Sequence, residues 1–282
     1  MDDLRESVLV LLRRGQAEFG FGDAIVEREV AKAMNPDWQT NLLSMIAGVI
    51  GQAAYWSTPR SVLEAGCGSG SFVTAALRQG HDAWGIENDA DRLAIGNARI
   101  ETFGLDGAWK ERLVSGDASA TPFEPDRFDL VLGHQFIEHV SDPAGTISEL
   151  LRITKPGGFL VLFAPDYRAP FEAHYEIPWP PFLQRELCKS WLDGFNRPYG
   201  GLDMFYYTTV VQVVGILQPL NCRIITAYND RKIEDQVMRH FDCSTQRATF
   251  ECARKFRAAF ETRQLPEHFM IATSFGVAAQ KL

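Results

Sequence analysis

The 282-residue chain has no dense lysine or arginine run, no apolar stretch near membrane-spanning length and no cysteine pair at metal-binding spacing. Each lack removes a class of function. The formal charge is −8, from 28 basic and 36 acidic residues. Proteins that bind nucleic acid usually gather a basic face against phosphate, so no nucleic-acid partner is expected. The longest apolar runs, such as Phe159 to Pro165, fall far short of the about 20 residues needed to cross a bilayer. The opening MDDLRESVLVLLRR places acids before its apolar part and shows no small-residue cleavage site, which does not fit a secretory signal. No membrane association is expected. The cysteines are Cys67, Cys188, Cys222, Cys243 and Cys252. An odd set without CxxC spacing fits reduced thiols in a cytoplasmic protein. No Cys/His spacing suggests zinc, so no metal is expected. There is no internal repeat and no low-complexity tract.

What is present is ordinary globular material: 46% apolar and 23% charged residues, enough for a sizeable core. Residues 4–14, 23–34 and 39–54 carry apolar positions at helical spacing, with Pro36 as a breaker. Residues 1–60 therefore read as an N-terminal helical cap. From Ser61 onward short apolar strands alternate with helices. Strands are expected at 61–65, 83–87, 112–115, 128–132 and 159–164; helices at 71–79, 91–103 and 143–153. Asp89 or Asp91 can cap the second of these helices, and Pro143 opens the third. Such alternation implies βαβ units, a parallel sheet and right-handed crossovers. After Pro165 the rhythm breaks. Residues 165–205 are rich in proline and aromatics without clear periodicity, the mark of a functional lid or inserted cap. Residues 206–282 then read as the C-terminal part of the core: a helix over 206–217, a strand over 222–227, helices over 231–241 and 245–263, and a closing strand over 268–278.

The chemistry concentrates in VLEAGCGSGSF, Val62 to Phe72. This loop leaves a strand and opens a helix, where backbone N–H groups and the helix N-terminus face a ligand. Its glycines permit a sharp turn and close approach. Glu87, 19 residues after Gly68, ends the next strand, where an acid can accept two ribose hydroxyls. To this point a dinucleotide site and an S-adenosylmethionine (SAM) site look alike. The dinucleotide pattern is GxGxxG, whereas here Gly66, Gly68 and Gly70 alternate and Ser71 stands at the last glycine's place. Glu64 lies two residues before the first glycine. A carboxylate there would repel a pyrophosphate and suit a ligand bearing an ammonium and a sulfonium.

VLEAGCGSG resembles motif I of the class I SAM-dependent methyltransferases, small-molecule enzymes of the methyltransferase type 11, UbiE-like group. WGIEND, SGDASATPFEPDRFDLVLGHQFIEHV and LLRITKPGGFLVLFAPD resemble the segments that follow it, in order and spacing, over residues 60–165. The resemblance implies a Rossmann-like α/β fold: a seven-stranded, mostly parallel sheet with helices on both faces, N-terminal helices and a helical, aromatic cap insertion. It makes 61–164 the SAM-binding core and 165–205 the substrate lid. It places Glu64 and the backbone of Gly66, Cys67, Gly68 and Gly70 at the methionine end, the Cys67 side chain reading as a small packing residue. It gives Glu87 the ribose, sets Asn88 beside the adenine, has Asp117 and Ala118 bind the adenine edge, and has Gly133, His134 and Gln135 border the sulfonium.

Methyl transfer from a sulfonium is an in-line displacement that needs alignment and exclusion of water. A hydroxyl acceptor also benefits from a base. His134 and, in the insertion, His174 are the catalytic candidates, with Glu172 or Glu176 to orient His174; His139 of E-H-V reads as mainly structural. Tyr175, Trp179, Tyr206 and Tyr207 are candidate acceptor contacts, since small-molecule pockets are apolar with few polar groups. Arg168, Arg185 and Arg197 could meet an anionic acceptor. His81, His240 and His268 read as surface or strand-end residues. GHQF replaces the N/D-P-P-Y-type motif of many nucleic-acid and protein amino methyltransferases. The expected activity is therefore O-methylation of a natural product, sugar or lipid-like metabolite, leaving S-adenosylhomocysteine. N- or C-methylation, an NAD oxidoreductase and a non-catalytic SAM-binding protein are the alternatives. The sequence leaves the oligomeric state open, a homodimer included.

Overall fold

The computed structural model describes residues 1–229, 237–270 and 272–282. Helices α1 (Asp2–Phe19), α2 (Asp23–Ala33) and α3 (Thr40–Val49) come first. Then follow β1 (Ser61–Ala65), α4 (Ser71–Arg78), β2 (Asp82–Glu87), α5 (Ala90–Thr102), β3 (Leu113–Ser115), β4 (Phe128–His134), α6 (Pro143–Ile153) and β5 (Thr154–Pro165). The strands are buried and apolar on both faces, as a parallel sheet between helical layers demands. Asp89 caps α5 by accepting from the N–H groups of Asp91 and Arg92, and Asp142 caps α6 ahead of Pro143.

The chain continues through a two-stranded ribbon, β6 (Phe171–Glu172) and β7 (Ile177–Pro178), then α7 (Arg185–Phe195), α8 (Val210–Leu217), β8 (Cys222–Asn229), α9 (Gln246–Glu261) and β9 (Ser274–Lys281). The main sheet has seven strands in the order β3-β2-β1-β4-β5-β9-β8. The first five are mutually parallel, and β9 is antiparallel to both β5 and β8. This is the expected Rossmann-like, mostly parallel architecture. The order reverses between β1 and β4, so their carboxyl ends open a crevice at the switch point, where α/β sheets bind ligands. No helix among the described residues is long and apolar enough to cross a membrane.

Several expected boundaries move, each for a local reason. The 206–217 helix starts only at Val210, because Thr209 stays extended and its side chain accepts from the N–H of Gln212 as an N-cap. The strand expected at 268–278 runs from Ser274 to Lys281 instead, since pairing with β5 fixes its register from Pro165↔Ser274 to Phe159↔Gln280. The 39–54 helix stops at Val49. The Lys155-Pro156-Gly157-Gly158 turn is the irregular start of β5, with Gly157 at φ 78°. The helix expected over 231–241 falls mostly outside the described residues.

The 165–205 segment contains a helix, α7, that its sequence hid among prolines and aromatics. Gly194 on α7 lets the backbone of α9 approach: an added Cβ would sit 2.9 Å from the Phe250 carbonyl oxygen. Trp179, Trp191, Tyr175 and Phe205 are fully buried in the resulting aromatic cluster, which also holds Phe19 from α1. Helices α1 and α2 pack with α5 through Leu4, Val8, Val26, Val30 and Ile95. Helix α3 joins the core under one face of the sheet. The first sixty residues thus reach three places, and Phe19 is one of several points at which they touch the cap, with Arg28 on Glu176 and Gly20 on Arg197.

Candidate active site

The glycine loop begins where β1 ends. Ala65 pairs with Ile86 on one side and with Gly133 on the other, so the loop leaves from the middle of the crevice. Gly66, Gly68 and Gly70 all have positive φ, at 66°, 54° and 66°. A Cβ on Gly66 would overlap the Phe136 ring, so only glycine keeps that turn. The N–H groups of Gly66 and Cys67 bond to the Ile86 carbonyl at 2.9 and 3.1 Å. The Cys67 side chain is buried against Gly85, in keeping with a packing role.

Two carboxyl groups meet behind this loop. Glu87 lies at the end of β2, 9% exposed. Its Oε1 accepts from the N–H groups of Asn88 and Asp89 at 2.9 and 3.0 Å, and its Oε2 accepts from Gly68 N–H at 2.9 Å. Glu64 on β1 is 3% exposed, and its Oε2 has no hydrogen-bond partner. Burial, and then the nearby Glu87 charge, push the Glu64 carboxyl well above its ordinary value. The rest of the expected cofactor set is distributed as the sheet dictates. Asn88 and Asp117 are exposed, Asp117 accepting from Ser119 N–H at 2.8 Å. Ala118 is buried. His134 ends β4 opposite Phe163 and is held neutral, burial lowering it to about 4. Gln135 takes a left-handed φ of 52° and is exposed.

Glu64 has a measurable consequence. Its folded-state carboxyl is raised, so its contribution to stability is complete below the ordinary value of 4.5 and is lost as pH rises toward the folded value. Glu64→Gln is expected to leave the melting temperature unchanged near pH 4 and to raise it at pH 8, by about 2–4 °C per kcal/mol released. Thermal unfolding of the two ligand-free proteins across that range checks the sign; a lower melting temperature at pH 8 would refute it.

A second cluster lies beyond β4. His174, in the cap ribbon, bonds through Nδ1 to Glu172 Oε1 at 2.7 Å. Glu172 is fully buried and also accepts from Tyr167 O–H at 3.1 Å and Tyr175 N–H at 2.6 Å. Glu176, the other expected orienter, pairs with Arg28 instead, at 2.9 Å. The His174 ring is stacked between Phe19 and Phe205, both at 5.5 Å. The His139 ring meets it edge-on at 5.0 Å, and His139 Nδ1–H donates to the Met204 carbonyl at 2.6 Å. Between them sits Glu138, 0% exposed, with neither carboxylate oxygen partnered. Burial drives the Glu138 carboxyl up to about 7. Burial opposes charge on His174, but the Glu172 carboxylate outweighs it and raises the imidazole. Burial and the neighbouring His174 lower His139.

The two clusters are joined by short steps. Phe136 connects the Gly66 turn to the start of the Glu138 turn, and an added Cβ on Gly68 would lie 3.8 Å from the Arg92 guanidinium. The remaining expected residues are less central. Tyr175 and Trp179 are closed inside the cap core, Trp179 donating to Tyr207 Oη at 3.1 Å. Tyr207 O–H donates to the Leu183 carbonyl, and Tyr206 is exposed. Arg168 pairs with Asp166, Arg185 with Asp203, and Arg197 donates to the Gly20 carbonyl, so all three have partners within the chain. His81 is buried against Trp56, not on the surface. The sequence reading passed over Glu138, although it stands beside His139 in E-H-V, and over Phe19, which only the fold of α1 brings to His174.

Comparison with known proteins adds an independent line. Residues 63–162 match the family described as a methyltransferase domain. An uncharacterized methyltransferase of Mycobacterium sp. (strain KMS) is 35% identical over 125 residues, 44% of this chain and 46% of that protein. A ubiquinone biosynthesis O-methyltransferase of Methylococcus capsulatus (strain ATCC 33009 / NCIMB 11132 / Bath) is 34% identical over 99 residues, 35% of this chain and 40% of that protein. The chain thus spans less than half the length of these curated relatives. The crystal structure of geranyl diphosphate C-methyltransferase from Streptomyces coelicolor A3(2), in complex with Mg2+, geranyl diphosphate and S-adenosyl-L-homocysteine, superposes with a TM-score of 0.51. It covers 87% of this chain and 78% of that one at 17% identity, a likeness of fold.

Proposed function

We propose, from the match of residues 63–162 to the methyltransferase domain family, that this chain is a class I SAM-dependent methyltransferase and that it transfers a methyl group from SAM to a hydroxyl of a small-molecule acceptor. The observation that carries the reading is the unpartnered, buried Oε2 of Glu64 behind the glycine loop. A polyphosphate would add negative charge beside two carboxyl groups. SAM brings an ammonium and a sulfonium, which favour the ionised form of Glu64 that burial alone disfavours. When bound, SAM supplies an activated methyl group, so no other group is needed to make the methyl reactive.

The chain's own residues then have separate tasks. The loop from Gly66 to Gly70 receives the methionine end, and Glu87 the ribose. Asn88, Asp117 and Ala118 frame the adenine. His134, kept neutral, borders the sulfonium without adding a repelling charge. His174 meets the acceptor. Its Nδ1–H is committed to Glu172, so Nε2 is left as a proton acceptor, a base of the kind that accelerates hydroxyl chemistry by about 10²–10⁴-fold. A hydroxyl, which must lose its proton, uses such a base more fully than a neutral amine does.

Isothermal titration with SAM, S-adenosylhomocysteine and NAD tests the cofactor assignment. Binding of the first two and none of NAD is expected; binding of NAD alone would sink the reading. Turnover of tritium-labelled SAM against hydroxylated, amino and carbon acceptors then sorts the acceptor class, and transfer only to amines or carbon would replace the hydroxyl.

A further inference from the structure

We propose that Glu138, His139 and His174 bind one divalent transition-metal ion, the two histidines through Nε2 and Glu138 through a carboxylate oxygen. One ligand atom from each residue lies within 4.8 Å of the other two, and His139 Nε2 is 3.9 Å from Glu138 Oε1. The tautomers follow from the partners. A carbonyl only accepts, so the 2.6 Å contact with Met204 puts the His139 proton on Nδ1. The 2.7 Å contact with Glu172 does the same for His174. Both Nε2 lone pairs are thereby free, and the carboxylate of Glu138, buried and without a partner on either oxygen, completes a set of three bare acceptors. In their deprotonated forms the three groups offer only lone pairs to the space they share, and a cation at their centre satisfies all three.

The surroundings are those that metal-binding histidines use. One imidazole is backed by a backbone carbonyl and the other by a carboxylate, and that carboxylate is itself held by Tyr167 O–H and Tyr175 N–H. Phe19 and Phe205 fix the plane of the His174 ring. Bonds of about 2.0–2.2 Å imply ligand atoms roughly 3.3 Å apart in tetrahedral geometry, so closure by at most about 1.5 Å completes the site. The His139 side chain is 39% exposed and gives the ion a way in. The Arg92 charge also acts on both histidines, but the side chain pairs with Asp89 at 3.7 Å, and Glu138 and Glu172 set two acids against its one charge. Two imidazoles and one carboxylate suit zinc, iron(II), cobalt(II) or nickel(II), with positions left open. An open position would take an oxygen of the acceptor; that use rests on the methyl-transfer reading, whereas binding of the ion does not. Sequence spacing shows no such site because its ligands come from two segments 35 residues apart, one in the insertion.

The test is titration of the chelator-stripped full-length protein with Co2+, read by its visible d–d absorption. One Co2+ per chain is expected, with affinity reduced about 100-fold or more in Glu138→Gln and His174→Ala and unchanged in Cys252→Ser. X-ray absorption of the cobalt-loaded wild-type protein should show imidazole and oxygen ligands without sulfur. His139→Ala, at a partly exposed position, gives a third variant should either buried one fail to fold. Absence of d–d bands, sulfur ligation, or wild-type affinity in the folded variants would overturn the proposal. A SAM titration on the same stripped protein separates this failure from failure of the methyltransferase reading.

Discussion

His174→Gln is expected to lower kcat about 100-fold or more, within the 10²–10⁴-fold range of general-base catalysis, while the Kd for SAM stays within about twofold. The split follows from where His174 stands. It lies in the cap ribbon, clamped by Phe19 and Phe205 and bonded to Glu172, and it makes no hydrogen bond to the glycine loop, Glu64 or Glu87. Removing the imidazole therefore takes away the proton acceptor and leaves the cofactor residues in place. Glutamine keeps a donor for Glu172 and avoids stranding that buried carboxylate, a loss that would confuse chemistry with folding. A role limited to packing in the cap would appear instead as a lower melting temperature with unchanged kcat. Turnover equal to wild type at every pH would remove His174 from the mechanism. Chelation divides the two ways in which this residue can serve. If a bound cation polarises the acceptor oxygen, stripping the wild-type protein lowers kcat as far as the substitution does. If the bare Nε2 takes the proton, stripping changes nothing and only the substitution is felt.

The contrast between the two clusters shows what a sequence exposes. The position of the proposed cofactor half was legible because it is local: a strand, a glycine loop and a helix are consecutive, and Glu87 follows at a distance set by one βα unit. Each residue's place is fixed by the alternation of β1, α4 and β2, which periodicity displays directly. The acceptor half depends on contacts between segments far apart in the chain. His174 could be singled out from its composition and its position after β5, with Glu172 or Glu176 as its orienter, but neither the choice between those two acids nor the approach of His139 could be read. That approach is made by Met204, which holds the His139 ring, and by Phe19, which arrives from the end of α1. Helix α7 was hidden for a related reason. Its amphipathic pattern is short and sits among prolines and aromatics whose burial is decided by α9, some sixty residues later. The aromatic residues expected to touch the acceptor proved in part to be the core of the cap: Tyr175 and Trp179 are as buried as any residue of the sheet. Hydrophobic residues that could face a ligand or a neighbouring helix carry the same signal until the neighbour is known.

Glu87→Ala is expected to weaken SAM binding about 100-fold, since hydrogen bonds to a charged group are worth about 1.5–3 kcal/mol each and two ribose hydroxyls are at stake. The side chain has a second task, which Glu87→Gln separates from the first. In the ligand-free protein its carboxylate already accepts three backbone N–H groups, from Gly68, Asn88 and Asp89. A carboxylate offers about four lone-pair sites. Accepting two hydroxyls as well exceeds that number, so one present bond must be given up. The Asn88 and Asp89 bonds are local and hold the turn after β2, whereas the Gly68 bond crosses to the opposite loop at 2.9 Å. The Gly68 bond is the one expected to yield, so that cofactor binding is expected to exchange a closed loop for a bound ribose. Alanine therefore removes both the ribose acceptor and the fastening of the glycine loop, and should lower the melting temperature of the free protein as well. Glutamine keeps one acceptor oxygen and loses the charge, so it should bind SAM with intermediate affinity. Calorimetric titration of the three proteins, with hydrogen exchange at the Gly68 amide, reads both effects. A Kd for Glu87→Ala within twofold of wild type would remove the ribose assignment. A Gly68 amide whose protection stays the same when SAM binds would remove the exchange of partners, leaving Glu87 as a ribose acceptor that never fastened the loop.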